Sequence, residues 1–143
     1  MIHQITGSII INTKGPKLID ITNDIKRWLK IRECLKGLLN IHIMHTSASL
    51  LIQENADSTV LEDLLEYYSK SAPSDHKYKH NTEGADDMPA HIKSSLTNTS
   101  ISLSVKSKIL ILGIWQGIFL FEHRYKPQTR KINLHFLGEK FVG

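Results

Sequence analysis

After Ser100 the chain runs as strand upon strand. Three apolar-rich stretches, about Ser100–Val105, Ile109–Phe121 and Lys131–Leu137, follow one another with only short polar connections. Connections that short suit antiparallel neighbours, because a parallel pair needs a crossover of about a dozen residues or more. Helical spacing is found upstream. Thr22 or Asn23 can cap a helix to about Leu35, with Ile25, Trp28, Leu29 and Leu35 on its buried side and Gly37 as its stop. Cys34 falls in that segment as a small core residue. Asp57 or Ser58 opens a second helix to about Ser69, with Val60, Leu61, Leu64, Leu65 and Tyr68 at helical spacing. Ile2–Asn12 alternates as an opening strand, Gly15-Pro16 turns the chain, and Lys17–Ile21 returns as its hairpin partner. Gly37 to about Glu54 reads as one strand. The expected fold is α+β: an antiparallel β-sheet domain with two larger helices and one short one packed on one face.

With 143 residues the chain forms one domain, large enough to bury a core without disulfides. Its single cysteine excludes an internal bridge and suits a reducing compartment. The first residues lack a secretory pattern. The longest apolar run, Ile109 to Phe121, is shorter than the roughly 20 residues of a membrane span and is broken by Gln116. A cytoplasmic protein with no membrane partner is expected. The formal charge is +4, but the lysines are dispersed and not interleaved with aromatics, which argues against a nucleic-acid partner. The basic end at Arg124–Lys131 suits a small phosphorylated metabolite instead.

The most chemically loaded passage is Tyr78–Leu96, which holds His80, Glu83, Asp86, Asp87 and His91. Asp87 is placed as the N-cap of a short helix, Met88–Leu96, with Pro89 in its first turn and Asn98 suited to a left-handed stop. The long polar loop Ser71–Gly84 leads into it, and loops of that length are often functional. Imidazoles and carboxylates gathered there are the ingredients of a metal or acid/base site; the alternative is a solvated loop with a capping aspartate. Upstream, Ile43–Leu50 turns abruptly polar at His45, Thr46, Ser47 and Ser49. These small hydroxyls suit hydrogen bonds to phosphate oxygens. They are poor nucleophiles, because no Ser-His-Asp order or glycine-framed elbow surrounds them.

On Ile114–Arg124, period-two alternation sets Trp115, Gly117, Phe119 and Phe121 on one face, with Trp115 in the core. Gln116, Ile118, Leu120, Glu122 and Arg124 share the other. Arg124 either grips phosphate or carboxylate with its planar fork, or pairs structurally with Glu122 or a neighbouring subunit. His42 is expected to pack in the sheet, and His3, His76 and His135 to be exposed. Arg130 and Lys131 are expected as a solvated strand start.

His45-Thr46-Ser47-Ala48-Ser49, Gln53-Glu54-Asn55-Ala56-Asp57, Tyr78–Leu96, Gly113-Ile114-Trp115-Gln116-Gly117-Ile118 and Glu122-His123-Arg124 together resemble the signature blocks of the YjbQ family, in order and across nearly the whole chain. That resemblance implies an α+β antiparallel-sheet domain assembled as a homotrimer, a divalent metal held by histidines, and secondary thiamine-phosphate synthase activity. With it, His45, His80 and His91 are the expected metal ligands, zinc being favoured and magnesium the alternative. Glu83, Asp86 and Asp87 then orient the imidazoles or add oxygen ligands. His45, His80, His91 and Glu122 are the candidate catalytic residues; Thr46, Ser47, Ser49, Gln116 and Arg124 are the candidate substrate contacts.

Three functions fit these residues. One is a metal-assisted transferase joining hydroxymethylpyrimidine diphosphate to a thiazole phosphate with release of pyrophosphate. The second is a metal-dependent hydrolase or phosphate-processing enzyme on another small metabolite. The third is a trimeric ligand-binding module without catalysis.

Overall fold

The computed structural model describes residues 1–143 and contains two antiparallel sheets rather than one. In chain order the elements are β1 (Ile2–Thr13), β2 (Lys17–Asp20), α1 (Thr22–Ile31), β3 (Cys34–Ile43), β4 (Ala48–Glu54), α2 (Ser58–Ser71), α3 (Asp87–Leu96), β5 (Ser100–Lys106), β6 (Ile109–Leu110), β7 (Gln116–Glu122) and β8 (Gln128–Lys140). The larger sheet has the order β1-β8-β3-β5-β6 and the smaller β2-β7-β4. The opening hairpin expected from Gly15-Pro16 does not form: β1 pairs with β8 and β2 with β7.

The division into two sheets corrects two readings. The stretch after Gly37 is two strands, because Met44–Ser47 carries the chain from β3 to β4 in the other sheet. Ile109–Phe121 is likewise two strands. Gln116 closes a turn there, its amide donating to the Gly113 carbonyl (3.0 Å) and its Oε1 accepting from the Gly113 N–H (2.7 Å). Trp115 sits on that turn, 61 % exposed, and is not a core residue.

The main core lies between the sheets. Leu39, Ile41 and Ile43 of β3 and Ile132, Leu134 and Phe136 of β8 meet Leu50 of β4 and Ile118 and Leu120 of β7, with Ile25, Trp28 and Leu29 of α1 in the same cluster. Each such side chain contributes about 1.5–3 kcal/mol on burial. The other face of β7 offers Phe119 and Phe121, which α2 covers with Leu61, Leu64, Leu65 and Tyr68. The expected alternation along β7 therefore holds from Gly117 inward. His42 is exposed, since its neighbours Ile41 and Ile43 take the core-facing positions of β3.

Helix α1 stops at Ile31, four residues short of the sequence expectation. Glu33 takes the left-handed conformation (φ 57°), and Cys34 already begins β3. Gly37 serves another purpose: a Cβ there would strike the Leu137 carbonyl oxygen, so the close passage of β3 beside β8 requires glycine. Asn98 is not left-handed either; it exchanges backbone hydrogen bonds with Leu50. Helix α2 is capped as expected, Asp57 accepting from the Thr59 N–H at 3.0 Å. No helix is long and apolar enough to cross a membrane.

Candidate metal centre

Helix α3 places Asp87 and His91 one turn apart, and the preceding loop brings His80 to them. One ligand atom from each of the three lies within 4.8 Å of the other two. Asp87 Oδ2 is 2.5 Å from His80 Nε2 and 3.2 Å from His91 Nε2. Asp87 is not the N-cap. Asp86 occupies that position without a side-chain cap bond, and Asp87 is the first helical residue, its carboxylate nearly buried.

Each member of the cluster is held from behind. Arg124 donates from Nη1 to Asp87 Oδ1 (2.5 Å), from Nε to Asp86 Oδ2 (3.0 Å) and from Nη2 to the Glu83 carbonyl (3.0 Å). The Tyr125 N–H also donates to Asp86 Oδ2. Asp87 thus spends one oxygen on the guanidinium and turns the other toward the imidazoles. His91 Nδ1 lies 2.9 Å from the Thr46 carbonyl, an acceptor only, so Nδ1 carries a proton and Nε2 is the ring nitrogen directed at Asp87. Glu83 Oε2 stands 3.1 Å from His80 Nε2. The loop turns at Gly84, whose φ of 105° and closeness to Asp86 Oδ1 disfavour any side chain.

The electrostatics follow. Burial acts to raise Asp86 and Asp87, but hydrogen bonds outweigh it and both carboxyls sit below their ordinary range: from Tyr125 and Arg124 for Asp86, from His80 foremost for Asp87. The Asp87 hydrogen bond raises the pKa of His80 above the usual imidazole value.

The other sequence candidates lie elsewhere. His45 stands outside the three-residue group; its Nε2 accepts the Lys131 N–H (2.9 Å), and burial followed by the Arg130 charge lowers its pKa. Thr46 is exposed beside His91, whereas Ser49 is fully buried with Oγ 2.9 Å from His123 Nε2. Gln116 belongs to its turn. Glu122 does not pair with the Arg124 side chain: it is buried against Arg130, with Nε at 2.8 Å and Nη2 at 2.5 Å. Arg130, expected as solvated, is 3 % exposed and also donates to the Ser47 carbonyl (3.1 Å).

Sequence reading passed over two buried groups. His123 is pushed down to about 3, first by burial and then by Lys93 and Arg130. Lys93, 8 % exposed, has its pKa lowered by burial against the opposing charge of Asp86. The signal for Lys93 was its place among Pro89, Ala90 and Ser94, which are also buried.

The donor set fits a zinc-type ion: two imidazole nitrogens and a carboxylate oxygen, with a side open to solvent for a fourth ligand.

The family model described as "UPF0047 protein YjbQ-like" matches residues 7–139. A UPF0047 protein YjbQ of Escherichia coli O157:H7 is 46% identical over 141 residues, covering 97% of this chain and 100% of its own. A UPF0047 protein of Synechocystis is 44% identical, covering 92% and 90%. Among solved structures, a hypothetical protein of Aeropyrum pernix K1 superposes with a TM-score of 0.87 at 29% identity, covering 94% and 99%. A yjbq/upf0047 family protein of Clostridium acetobutylicum gives 0.80 at 34% identity, covering 92% and 98%.

Proposed function

The chain belongs to the UPF0047 YjbQ-like family, and on that footing we propose that His80, Asp87 and His91 form the cation-binding centre of an enzyme acting on a small phosphorylated metabolite. The convergence of these three ligand atoms within 4.8 Å carries the reading. Zinc suits two imidazoles better than magnesium does. The ligand set differs from the three histidines expected of the sequence in that His45 leaves, and of the carboxylates allowed there as oxygen ligands Asp87 is the one that joins.

The reaction we propose is that of a secondary thiamine-phosphate synthase. The carbon–oxygen bond to the diphosphate of hydroxymethylpyrimidine diphosphate breaks, and pyrophosphate leaves with the electron pair. The ring nitrogen of the thiazole phosphate forms the new carbon–nitrogen bond. When bound, a divalent cation supplies the charge that stabilises the departing pyrophosphate. Arg124 is a positioning residue, because its side chain is committed to Asp86, Asp87 and the Glu83 carbonyl. The exposed Thr46 hydroxyl, on the residue whose carbonyl orients His91, donates to a phosphate oxygen. Glu122 and Ser49, enclosed in the interior, hold the framework.

Metal analysis after chelator treatment and reconstitution, paired with assays of pyrophosphate release from the two precursors and of orthophosphate release from a panel of phosphoesters, tests the proposal. Stoichiometric uptake that is lost in His80→Ala plus His91→Ala supports the centre. Release restricted to the phosphoesters would assign the site to a hydrolase. Assembly as a homotrimer forms part of the reading, supported by the exposed Ile109, Ile111, Ile114 and Trp115. A monomer at micromolar concentration in sedimentation equilibrium would remove it.

A further inference from the structure

Helix α3 has a second polar side chain directed away from the metal cluster. At about 100° per residue, His91 lies within about 40° of Asp87, whereas Lys93 lies about 160° from His91, on the opposite side. Lys93 is 8 % exposed and lines a cavity of about 300 Å³ together with Leu65 and Tyr68 of α2, Phe121 of β7, and Tyr125.

No carboxylate of the chain is in direct contact with the Lys93 amine. None of the ion pairs within 4.0 Å involves Lys93. The two nearby acids are committed elsewhere: Asp86 to Arg124 and the Tyr125 N–H, and Glu66, which also lines the cavity, to Lys70 at 2.7 Å. A nearly buried, unpaired charge is costly, and natural interiors supply a counter-charge. The anionic group of a molecule in the cavity would supply one here. The aromatic walls select its body, and the volume limits it to a small one.

We propose that this cavity binds a small planar organic anion, its carboxylate or phosphate against the Lys93 ammonium and its ring among Tyr68, Phe121 and Tyr125. The site is distinct from the proposed metal centre: the two occupy opposite faces of α3 and share no lining side chain.

Phenyl phosphate, benzoate and the uncharged benzyl alcohol, titrated separately into isotope-labelled protein and followed by amide chemical shifts, test this. Either anion should move the amides of Leu65–Ser69, Lys93, Phe121 and Tyr125 and bind more tightly than the alcohol; the tighter of the two identifies the anion class. Lys93→Met, which keeps the stem and removes the charge, should weaken that binding roughly tenfold or more. Lys93→Arg should retain most of it. A thermal melt of each variant separates lost affinity from lost fold, and the wild-type shift map stands on its own if a variant fails to fold. Shifts confined to His80–His91, equal binding of the alcohol, or an unchanged affinity in a folded Lys93→Met protein would overturn the proposal.

Discussion

Two arginine–carboxylate assemblies stand at neighbouring points of this molecule and do opposite things. Arg130 and Glu122 are almost wholly buried, and every Glu122 oxygen is taken: by Arg130, by Thr13 Oγ1 at 2.5 Å, and by the backbone N–H groups of His123 and Arg124. Arg124 and Asp87 begin the same way but stop halfway. One Asp87 oxygen is held by the guanidinium, and the other faces two imidazoles at the surface. A saturated pair serves as framework, whereas a half-saturated one leaves a carboxylate oxygen directed at the surface. Burial and donor count make the difference, since each assembly joins a guanidinium to a carboxylate.

The sharpest way to break this contrast is Arg130→Met. Removing one partner strands Glu122 in the interior, and a loss of about 3–5 kcal/mol is expected. Urea unfolding should register it, while metal uptake per folded molecule stays unchanged. A variant that folds normally but loses metal would merge the two assemblies into one.

Acid should distinguish them next. The unfolded chain protonates a histidine near pH 6.5, but the buried His123 does not until about pH 3. Between those values the unfolded state binds the extra proton, so stability is full above about pH 6.5 and falls as pH drops toward 3. From pH 7 to pH 5 the loss should be roughly 2 kcal/mol. Glu122, whose pKa is lowered, adds to the loss only below its ordinary value of 4.5. Denaturation midpoints for wild type and His123→Phe should diverge in slope, the variant being flatter.

Arg124→Lys addresses the rim. Lysine keeps the charge but cannot bridge Asp86, Asp87 and the Glu83 carbonyl at once. Metal affinity should fall about tenfold, with a melting temperature close to wild type, as competition titration and calorimetry would show. Undiminished metal affinity with weaker pyrophosphate binding would instead hand Arg124 to the substrate. The smallest effect is expected from Glu83→Gln. Its side chain is 64% exposed, and stability should change by no more than about 0.5 kcal/mol by the same calorimetry.

The rim cluster was legible in the sequence because it is local. His80, Asp87 and His91 lie within twelve consecutive residues, and a helix start brings such neighbours together whatever the rest of the chain does. The Glu122–Arg130 pair was not legible. Its members end and begin strands of different sheets, and no periodic pattern marks a chain that changes sheet. The same blindness fused β6 with β7, since Ile109–Phe121 is apolar on both sides of a turn built by Gly113 and Gln116. His45 illustrates a further limit. Its type and neighbourhood suited a ligand, but the partner that takes its Nε2 is a backbone N–H on Lys131, 86 residues away. The α+β class and the alternation on β7 survived, because burial on two faces of one strand leaves its mark in the residues themselves.

The four-residue passage from β3 to β4 is gripped at successive peptide units: the Thr46 carbonyl meets His91 of the rim, and the Ser47 carbonyl meets Arg130 of the interior. It behaves as a rivet through both sheets. A tug on His91 is felt one residue of chain away from the carbonyl that meets the buried Arg130–Glu122 pair. Occupancy at the surface should therefore be audible in the hydrogen-exchange rates of Thr46 to Ala48, without a hinge.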